Sequence, residues 1–566
     1  MHQRWTLDGA WILGAAVVAA VLLVHLVGPQ PYITGDEPRY VARALAWLGH
    51  ADTVGGHPHA SLHLIPIAPL IDVFGPTGGR AGAFAIAAVG FCLLLSMLRA
   101  HFSRWLALGA AVAVFATLPL LAFSWILYTE AWLFTALTVS WMLLGSRSRT
   151  WGHLALFLLS ALILPFLHLR MGPASAALIA LYIAGEISAE RGLRSRRLVL
   201  KVAAIAASCA VALAALLAYQ LWVSGQYFGS ATATFSPTLD DVLPRLAVQL
   251  ISQRHGLFIF NPLMIVALAG LVVGVLRRER LAVQGLVLLL AYAGTIAWSS
   301  AMESMPARFW CAAMPIFAVG LAIWVREQRT WCGHAVTAML GLISAGMAVF
   351  YGFDPNAFLE NREVSIIYDR LFDWFGLVYL PPWLAADPIF FLRGERSLGL
   401  EANAALLTRG GLVATALVVC LAAAATIRRP NRLASAFGAV SLVFLAAIVW
   451  QARAREVAAH EVAIHLSTAP APGGRVLTLS FERPTKPLAL RFEATLPHWH
   501  GGDYPEGFRL DVDHGDGRFE TVDTIAARRL TMLPDIGAIA RLRLTPTGPP
   551  KGTDTWTEGP VSVVAR

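Results

Sequence analysis

Residues 33–40 read Ile33-Thr34-Gly35-Asp36-Glu37-Pro38-Arg39-Tyr40, and this polar stretch decides how the rest of the chain is interpreted. It follows closely on the first long apolar run, Gly9 to Gly28, so we expect it at a membrane surface. That run is as long as a helix that crosses the hydrocarbon core, and no small-residue cleavage site follows it. We therefore interpret it as a membrane span and not as a signal peptide.

The composition is that of a protein with many membrane spans. Hydrophobic residues make up 57% of the 566 residues and charged residues only 14%, which excludes an ordinary soluble globular protein. Lipid accepts only helices and closed barrels, and many apolar runs here reach the length of a spanning helix. The predicted fold class is therefore mainly α, a polytopic helical membrane protein with a small C-terminal all-β, sandwich-like domain.

Apolar runs place the expected transmembrane helices. They lie at 10–28, 81–98, 105–124, 130–145, 152–168, 172–186, 200–224, 260–276, 281–298, 308–325, 333–351, 409–426 and 433–450. Arginine-rich loops alternate strictly with the other loops, and the positive-inside rule places them in the cytoplasm. The remaining loops and the tail then face the periplasm or the outside of a bacterial inner membrane. The net charge of +9 comes largely from these loops, so it does not indicate nucleic-acid binding.

Two regions follow from the change in residue pattern. Residues 1–452 form the transmembrane part, which would be the catalytic domain, with outer loops at 29–80 and 352–408. Residues 453–566 form the extracytoplasmic part. There, runs such as 476–481 and 508–512 alternate with period two between turn residues, a pattern typical of a small β-sandwich.

The first outer loop contains two short helical patterns. Pro38 suits the first position of a helix, and an apolar stripe from Tyr40 to Leu48 opposes Arg39 and Arg43. This pattern predicts a helix that lies in the plane of the interface. The apolar stretch 64–74 is too short to span, so it is expected to lie flat or re-enter the membrane.

Asp36 and Glu37 are the first candidates for chemistry. Transfer of a sugar from a phosphate-linked donor needs a general base for the acceptor hydroxyl. It also needs cations or a metal for the leaving phosphate. A carboxylate at Asp36 or Glu37 and the nearby Arg39 suit these two tasks. In the alternative interpretation, Asp36 or Glu37 only caps the helix that Pro38 opens.

Further candidates gather at the predicted outer ends of the spans. Glu130 occupies an outer turn, where an acid at bilayer depth is a functional candidate or, alternatively, a helix cap. The positive-inside rule disfavours arginines on this side. Each of them either binds a lipid phosphate or extends its charged end along the helix to the membrane surface. The candidates are Arg170, Arg254 with His255, and Arg308.

Histidines form a separate group in the first outer loop. His57, His59 and His63 are either polar residues of the interface or ligands of a divalent metal, and the sequence leaves both interpretations open. No cofactor is otherwise indicated. The five cysteines lie in or beside apolar runs, so they predict neither a disulfide framework nor a metal site.

Asp36-Glu37-Pro38-Arg39-Tyr40, directly after the first span, resembles the Asp-Glu-x-Arg-Tyr signature of lipid-linked-sugar glycosyltransferases of the GT-C fold. The lipid A aminoarabinose transferases (family 83-like) show this signature, and protein O-mannosyltransferases (family 39-like) carry a related element. The predicted topology of roughly the first 450 residues is also similar to theirs. The resemblance implies that Asp36 acts at the acceptor, that Arg39 and Tyr40 lie near the donor phosphate, and that the donor is a polyprenyl-phosphate sugar.

The chain departs from that pattern in one place. The aminoarabinose enzymes carry a Lys-Pro-Pro element later in the first loop, and its lysine meets the phosphate. The comparable place here reads His57-Pro58-His59. If these histidines contact the phosphate, they do so protonated or as neutral hydrogen-bond donors.

The expected function is therefore an inverting, polyprenyl-phosphate-sugar-dependent glycosyltransferase. Its acceptor would be a lipid, a glycan or a protein, and its surroundings membrane lipids. The alternatives are a transporter or flippase of lipid-linked saccharides, which would place ionisable residues inside the spans, and a polysaccharide polymerase or ligase, which would not require Asp36 as base.

Overall fold

The structure is a computed structural model. It describes residues 9–28, 37–50, 62–146, 150–189, 196–224, 246, 249–250, 256–299, 307–328, 331–353, 355, 460–471, 474–492, 507–526, 530–534, 536–547 and 561–565. The chain divides into two compact units, one containing the described helices and the other the described strands. Each unit is described by itself.

The first unit is a set of mostly apolar helices. In chain order they are α1 (Gly9–Val27), α2 (Glu37–Trp47), α3 (Ala68–Arg99), α4 (Arg104–Phe115), α5 (Leu120–Phe123), α6 (Glu130–Gly145), α7 (Trp151–Leu167), α8 (Gly172–Ala189), α9 (Arg196–Ser224), α10 (Leu257–Phe260), α11 (Leu263–Leu276), α12 (Arg280–Ser299), α13 (Met314–Glu327) and α14 (Trp331–Phe353). The described residues also include 3-10 segments at Leu62–Ile67, Leu169–Met171 and Arg308–Ala313. Within the described residues, seven helical stretches are long and apolar enough to cross a membrane, which indicates a multi-pass membrane protein.

Helices lie at each predicted span from the first to the one at 333–351. The last two predicted spans, 409–426 and 433–450, lie outside the described residues, so the count of thirteen stays a prediction. The predicted span 105–124 is not continuous, since α4 ends at Phe115 and α5 begins at Leu120. Pro119 explains the interruption, because proline has no N–H to donate to the helix.

Helix α3 begins earlier than the predicted span at 81–98. The stretch 64–74, which was expected to lie flat or re-enter, forms the 3-10 segment and the first turns of α3. Gly75 breaks the helix with φ of 66° and ψ of −163°, a conformation that glycine adopts without a side-chain clash. Pro76 then opens the long continuation to Arg99.

Helix α2 begins at Glu37, within one residue of its predicted start. Its buried residues are Glu37, Tyr40, Arg43 and Ala44, which share one face at helical spacing. The prediction that Arg43 opposes the apolar stripe is therefore wrong. Only 5% of Arg43 is exposed, and it lies beside Tyr40 and Ala44 instead of in water.

Nine strands lie among the described residues of the second unit. They are β1 (His460–Val462), β2 (Ile464–Ala471), β3 (Gly474–Thr485), β4 (Pro487–Phe492), β5 (Gly507–Asp513), β6 (Glu520–Ala526), β7 (Leu530–Met532), β8 (Ile539–Thr547) and β9 (Val561–Ala565). They pair antiparallel in two sheets of order β1-β9-β4-β7 and β2-β3-β8-β5-β6. One buried cluster contains residues from both sheets, such as Leu490 and Leu510. The predicted strands are confirmed, and the sandwich arrangement stays a prediction.

Strand alternation separates the two faces of β5. Phe508, Leu510 and Val512 belong to the buried cluster, whereas Asp511 and Asp513 face the other side. Asp511 lies opposite Arg543 on β8, and its Oδ2 accepts from Arg543 Nε at 3.0 Å. These charged pairs across the strands add to the apolar packing beneath them.

The turn after β5 is organised by Asp513. Its Oδ1 accepts from the backbone N–H groups of Gly515 at 2.8 Å and Gly517 at 3.1 Å, and its Oδ2 accepts from Arg541 Nε at 2.7 Å. Both glycines have positive φ, as the tight turn requires. The hydrogen bond from Gly515, followed by those from Arg541 and Gly517, lowers the pKa of Asp513 to about 2.

Candidate functional site

Glu37 is held in a buried ion pair at the start of α2. Its Oε1 accepts from Arg80 Nε at 3.1 Å, and its Oε2 accepts from Arg80 Nη2 at 2.6 Å. Oε1 also accepts from the backbone N–H of Leu127 at 2.9 Å. The two side chains are only 1% and 5% exposed. Glu37 therefore fixes the first turn of α2, which directly follows Asp36, against α3 and the segment before α6.

The glycine that precedes Arg80 permits this arrangement. A Cβ added at Gly79 would lie 2.5 Å from Ile71 Cγ1 and 2.8 Å from Leu127 Cδ2, which is closer than carbon atoms pack. Only glycine lets α3 approach the Leu127 segment so closely without a shift of the neighbours. Arg80 can then reach Glu37 in the two-point geometry that suits a guanidinium and a carboxylate.

Leu127 is bonded through both of its peptide groups. Its N–H donates to Glu37, and its carbonyl oxygen lies 3.2 Å from His63 Nε2. His63 Nε2 must carry the proton in this bond, because a carbonyl oxygen only accepts. The Tyr40 ring packs edge-on against His63 at 5.2 Å and against Tyr128 at 5.6 Å between ring centroids. An aromatic cluster thus lies beneath the buried face of α2.

Glu130 pairs with Arg308 on the other side of this cluster. Arg308 Nε donates to Glu130 Oε1 at 2.6 Å, and the Arg308 guanidinium carbon lies 4.0 Å from the centroid of the Tyr128 ring. Glu130 is the first residue of α6, where a negative charge interacts favourably with the helix dipole. Its Oε2 is buried and has no hydrogen-bond partner among the described residues.

Arg170 approaches the same place from the 3-10 segment between α7 and α8. Its guanidinium carbon lies 3.7 Å from the centroid of the Phe309 ring, a cation–π contact. It is close enough to Glu130 and Arg308 to interact with both charges. In the part of the chain that the structure describes, its guanidinium has neither a carboxylate partner nor a hydrogen bond.

The charges around this site do not cancel. Glu37 with Arg80 and Glu130 with Arg308 form two neutral pairs, and Arg170 adds a positive charge that no described acid balances. Guanidinium groups bind phosphate and carboxylate oxygens through planar pairs of N–H donors. The arrangement can therefore bind an anion beside the aromatic cluster.

The structure thus brings together five of the residues expected from the sequence. Glu37, Tyr40, Glu130, Arg170 and Arg308 form one continuous chain of contacts through Leu127, Tyr128 and Phe309. Arg39 differs from its neighbour Tyr40 in lying on the exposed side of α2. The other expected residues, Asp36, His57, His59, Arg254 and His255, lie outside the described residues.

Arg80 is the main residue that the sequence analysis missed. Like Arg170 and Arg308, it lies at the predicted outer end of a span, where the positive-inside rule disfavours an arginine. The same argument would have found it, but it was counted as part of the first outer loop. Phe309 was also missed, because an aromatic residue in an apolar segment gives no sequence signal of its own.

A metal site is not formed by the residues that the structure describes, since no group of three His, Cys, Asp or Glu side chains there could hold an ion. His63 uses Nε2 for the Leu127 carbonyl, which leaves only Nδ1 for another partner. The neighbouring histidines of the first loop lie outside the described residues.

Comparison of the chain with models of protein families, with curated proteins and with solved structures found no match.

Proposed function

We propose that this chain is a membrane glycosyltransferase that transfers a sugar from a polyprenyl-phosphate donor to an acceptor hydroxyl on the periplasmic or outer face. The observation that supports this proposal best is Arg170, a guanidinium without a described acidic partner beside the Glu130–Arg308 pair. Such a cation needs an anion, and a lipid phosphate at the membrane surface supplies one.

The charges suit the change that such a donor undergoes. The phosphodiester of a polyprenyl-phosphate sugar carries one negative charge, and the phosphate gains a second as the bond from the anomeric carbon to the phosphate oxygen breaks. Arg170 would compensate the first charge and Arg308, which is already oriented by Glu130, the developing one. Stabilisation that grows with the charge of the transition state is the kind that speeds the chemical step.

The acceptor hydroxyl needs a base on the opposite side of the sugar. We assign that role to Asp36, which would take the hydroxyl proton while the acceptor oxygen bonds to the anomeric carbon and inverts it. Glu37 is less suited to the role, because both of its oxygens already accept hydrogen bonds from Arg80 or Leu127. Its task in this proposal is to fix the helix turn that follows Asp36.

The finer architecture belongs to the same proposal. We propose a GT-C-like membrane domain with thirteen spans and an extracytoplasmic β-sandwich domain. A cysteine introduced by Ser467→Cys in a variant without the five native cysteines tests the sidedness. We expect an impermeant thiol reagent to label it in intact spheroplasts. Labelling only after the membrane is opened would show that the tail lies in the cytoplasm.

A cell-free transfer assay tests the activity directly. Purified protein would be incubated with labelled polyprenyl-phosphate sugars and a membrane extract as acceptor, and wild type would be compared with Asp36→Asn and Arg170→Gln. We expect Asp36→Asn to lose turnover and Arg170→Gln to lose affinity for the donor. Unchanged turnover in Asp36→Asn would remove the catalytic assignment.

The transporter alternative has one observation in its favour, a buried ion pair between two candidate spans. Lys201 Nζ on α9 donates to Glu186 Oε2 on α8 at 2.6 Å, and the side chains are 1% and 2% exposed. The two charges neutralise each other, and Glu186 is only three residues from the end of α8. If no labelled donor supports transfer, flux of lipid-linked sugars across vesicles containing Glu186→Gln becomes the next measurement.

A further inference from the structure

The segment that carries Arg308 and Phe309 is anchored by a hydroxyl from another helix. Tyr292 on α12 donates a hydrogen bond from its phenol to the backbone carbonyl oxygen of Phe309. Tyr292 is only 3% exposed and Phe309 only 4%, so the bond is shielded from water. A buried hydroxyl whose partner is lost would remain unsatisfied, which favours the bonded arrangement.

The backbone at this place needs such an anchor. Ala307, which precedes the 3-10 segment Arg308–Ala313, has φ of 52° and ψ of 14°, in the left-handed region. A residue with a Cβ adopts that conformation at a cost of about 1 kcal/mol or more, and surrounding contacts must hold it there. The bond from Tyr292 is one of those contacts.

The anchored ring is the platform for Arg170. The Phe309 ring lies against the Arg170 guanidinium at 3.7 Å, whereas the Arg308 guanidinium is 5.9 Å from the same ring. Glu130 and Tyr292 are close enough to interact with the charge of Arg170, but neither forms a salt bridge or hydrogen bond with its guanidinium in the described part of the chain. The Phe309 ring is therefore the contact that orients the guanidinium plane. The position of the ring is fixed in turn by the backbone that Tyr292 anchors.

We infer that Tyr292 is a positioning residue for anion binding, which acts on Arg170 through Phe309. This inference rests on the proposed function, because it concerns the donor phosphate that Arg170 would bind. Loss of the Tyr292 hydroxyl removes the hydrogen bond that ties this segment to α12 and lets the segment shift, so that the guanidinium loses its preferred orientation. The effect falls on binding of the donor and not on proton transfer at the acceptor.

The kinetic test compares Tyr292→Phe with wild type in the full-length protein. We expect the KM for the polyprenyl-phosphate sugar to rise about fivefold with kcat nearly unchanged, the effect of losing one hydrogen bond. The matched control is Tyr182→Phe, which removes the hydroxyl of another buried tyrosine on α8. An equal rise in KM in both variants would indicate a general loss of packing and overturn the inference.

A double-mutant cycle tests whether the effect passes through Arg170. In an Arg170→Gln background, Tyr292→Phe should no longer raise the donor KM, because the group that it positions is absent. Phe309→Leu, which keeps the backbone carbonyl but removes the aromatic face, should raise the KM in the same way as Tyr292→Phe. A Tyr292→Phe effect that persists undiminished without Arg170 would contradict the inference.

A chemical readout separates this inference from the transferase proposal. Phenylglyoxal modifies guanidinium groups, and mass spectrometry of the detergent-solubilised protein measures its rate at Arg170. We expect Tyr292→Phe to raise that rate about fivefold while Tyr182→Phe leaves it unchanged, because the guanidinium is less firmly held against the ring. Absence of sugar transfer with this change in labelling would reject the proposed function and keep the positioning role. Unchanged labelling would reject the positioning role.

Discussion

Arg308 Nε and Glu130 Oε1 lie 2.6 Å apart, although 178 positions of sequence separate the two residues. The bond uses one edge of the guanidinium, and the Tyr128 ring covers its face. No further hydrogen bond from the Arg308 side chain to another described residue is found. The pair therefore orients Arg308 while it leaves terminal N–H groups for a ligand.

Glu130→Gln tests this orienting role. The amide keeps the size of the side chain but loses its charge, so the hydrogen bond to Arg308 weakens and the guanidinium is less well placed. We expect the rate of sugar transfer to fall about tenfold to a hundredfold, the range for a hydrogen bond to a charged group. Arg308→Lys should also lower the rate of sugar transfer, since lysine keeps the charge but loses the planar stack on Tyr128. Full activity in both variants would show that the pair has no part in the reaction.

The buried ion pair of Glu37 and Arg80 should affect the stability of the fold when one partner is removed. Arg80→Met leaves the buried carboxylate of Glu37 without its counter-ion, and breaking such a pair costs about 3–5 kcal/mol. Thermal unfolding in detergent should show a lower Tm for Arg80→Met than for wild type. The double variant Glu37→Met, Arg80→Met should recover part of the loss, because no unpaired charge remains. A double variant less stable than Arg80→Met would contradict this account.

The pair of Glu186 and Lys201, between α8 and α9, provides an independent case. Lys201 lies at the start of the predicted span 200–224, and the structure buries it with its Nζ 2.6 Å from Glu186 Oε2. Lys201→Met should lower the Tm, and Glu186→Leu added to it should restore most of the loss, since the helices α8 and α9 then meet through apolar side chains. Transfer activity per folded molecule should be the same in all three proteins. A loss of activity without loss of folded protein would show that the pair takes part in the reaction and is not only structural.

Asp513 makes the second unit sensitive to acid. The pKa of its folded form is about 2, below the value of about 4 for an unfolded chain. Stability from this residue is therefore fully present above about pH 4 and is lost as the pH falls toward about 2. Hydrogen exchange of residues 507–547 in the full-length protein should speed up over that range in wild type. Asp513→Asn should exchange faster at neutral pH and respond less to acid, and parallel curves for the two proteins would refute the assignment.

The helices of the first unit could be predicted because a run of about 20 apolar residues is a long signal that one substitution does not erase. The predictions that were wrong concern places where a single residue determines the local structure. Pro119, for example, interrupts the predicted span at 105–124. Arg43 was assigned to the polar face of α2 by its charge, although its spacing from Tyr40 and Ala44 places it on the buried face.

The candidate site was predictable residue by residue but not pair by pair. Glu130 and Arg308 each stood out as charged groups at the ends of apolar helices, which is a property of their local sequence. The pairing of acids with arginines, as for Glu37 and Arg80, depends on how distant helices pack. The local sequence contains no information about that packing. Tyr292 was hidden for another reason, since a tyrosine in an apolar helix is more often only a packing residue.

Leu127 has a consequence for how the two sides of the site behave. Its N–H is tied to the helix that begins at Glu37 and its carbonyl oxygen to His63, while Glu130, three residues later, is tied to Arg308. The short segment 127–130 thus connects the start of α2 and His63 to the distant Arg308 through hydrogen bonds at both of its ends. We expect a displacement of α2 to shift Glu130 as well, so that in the proposed reaction the groups near Asp36 and those near Arg308 would be coupled.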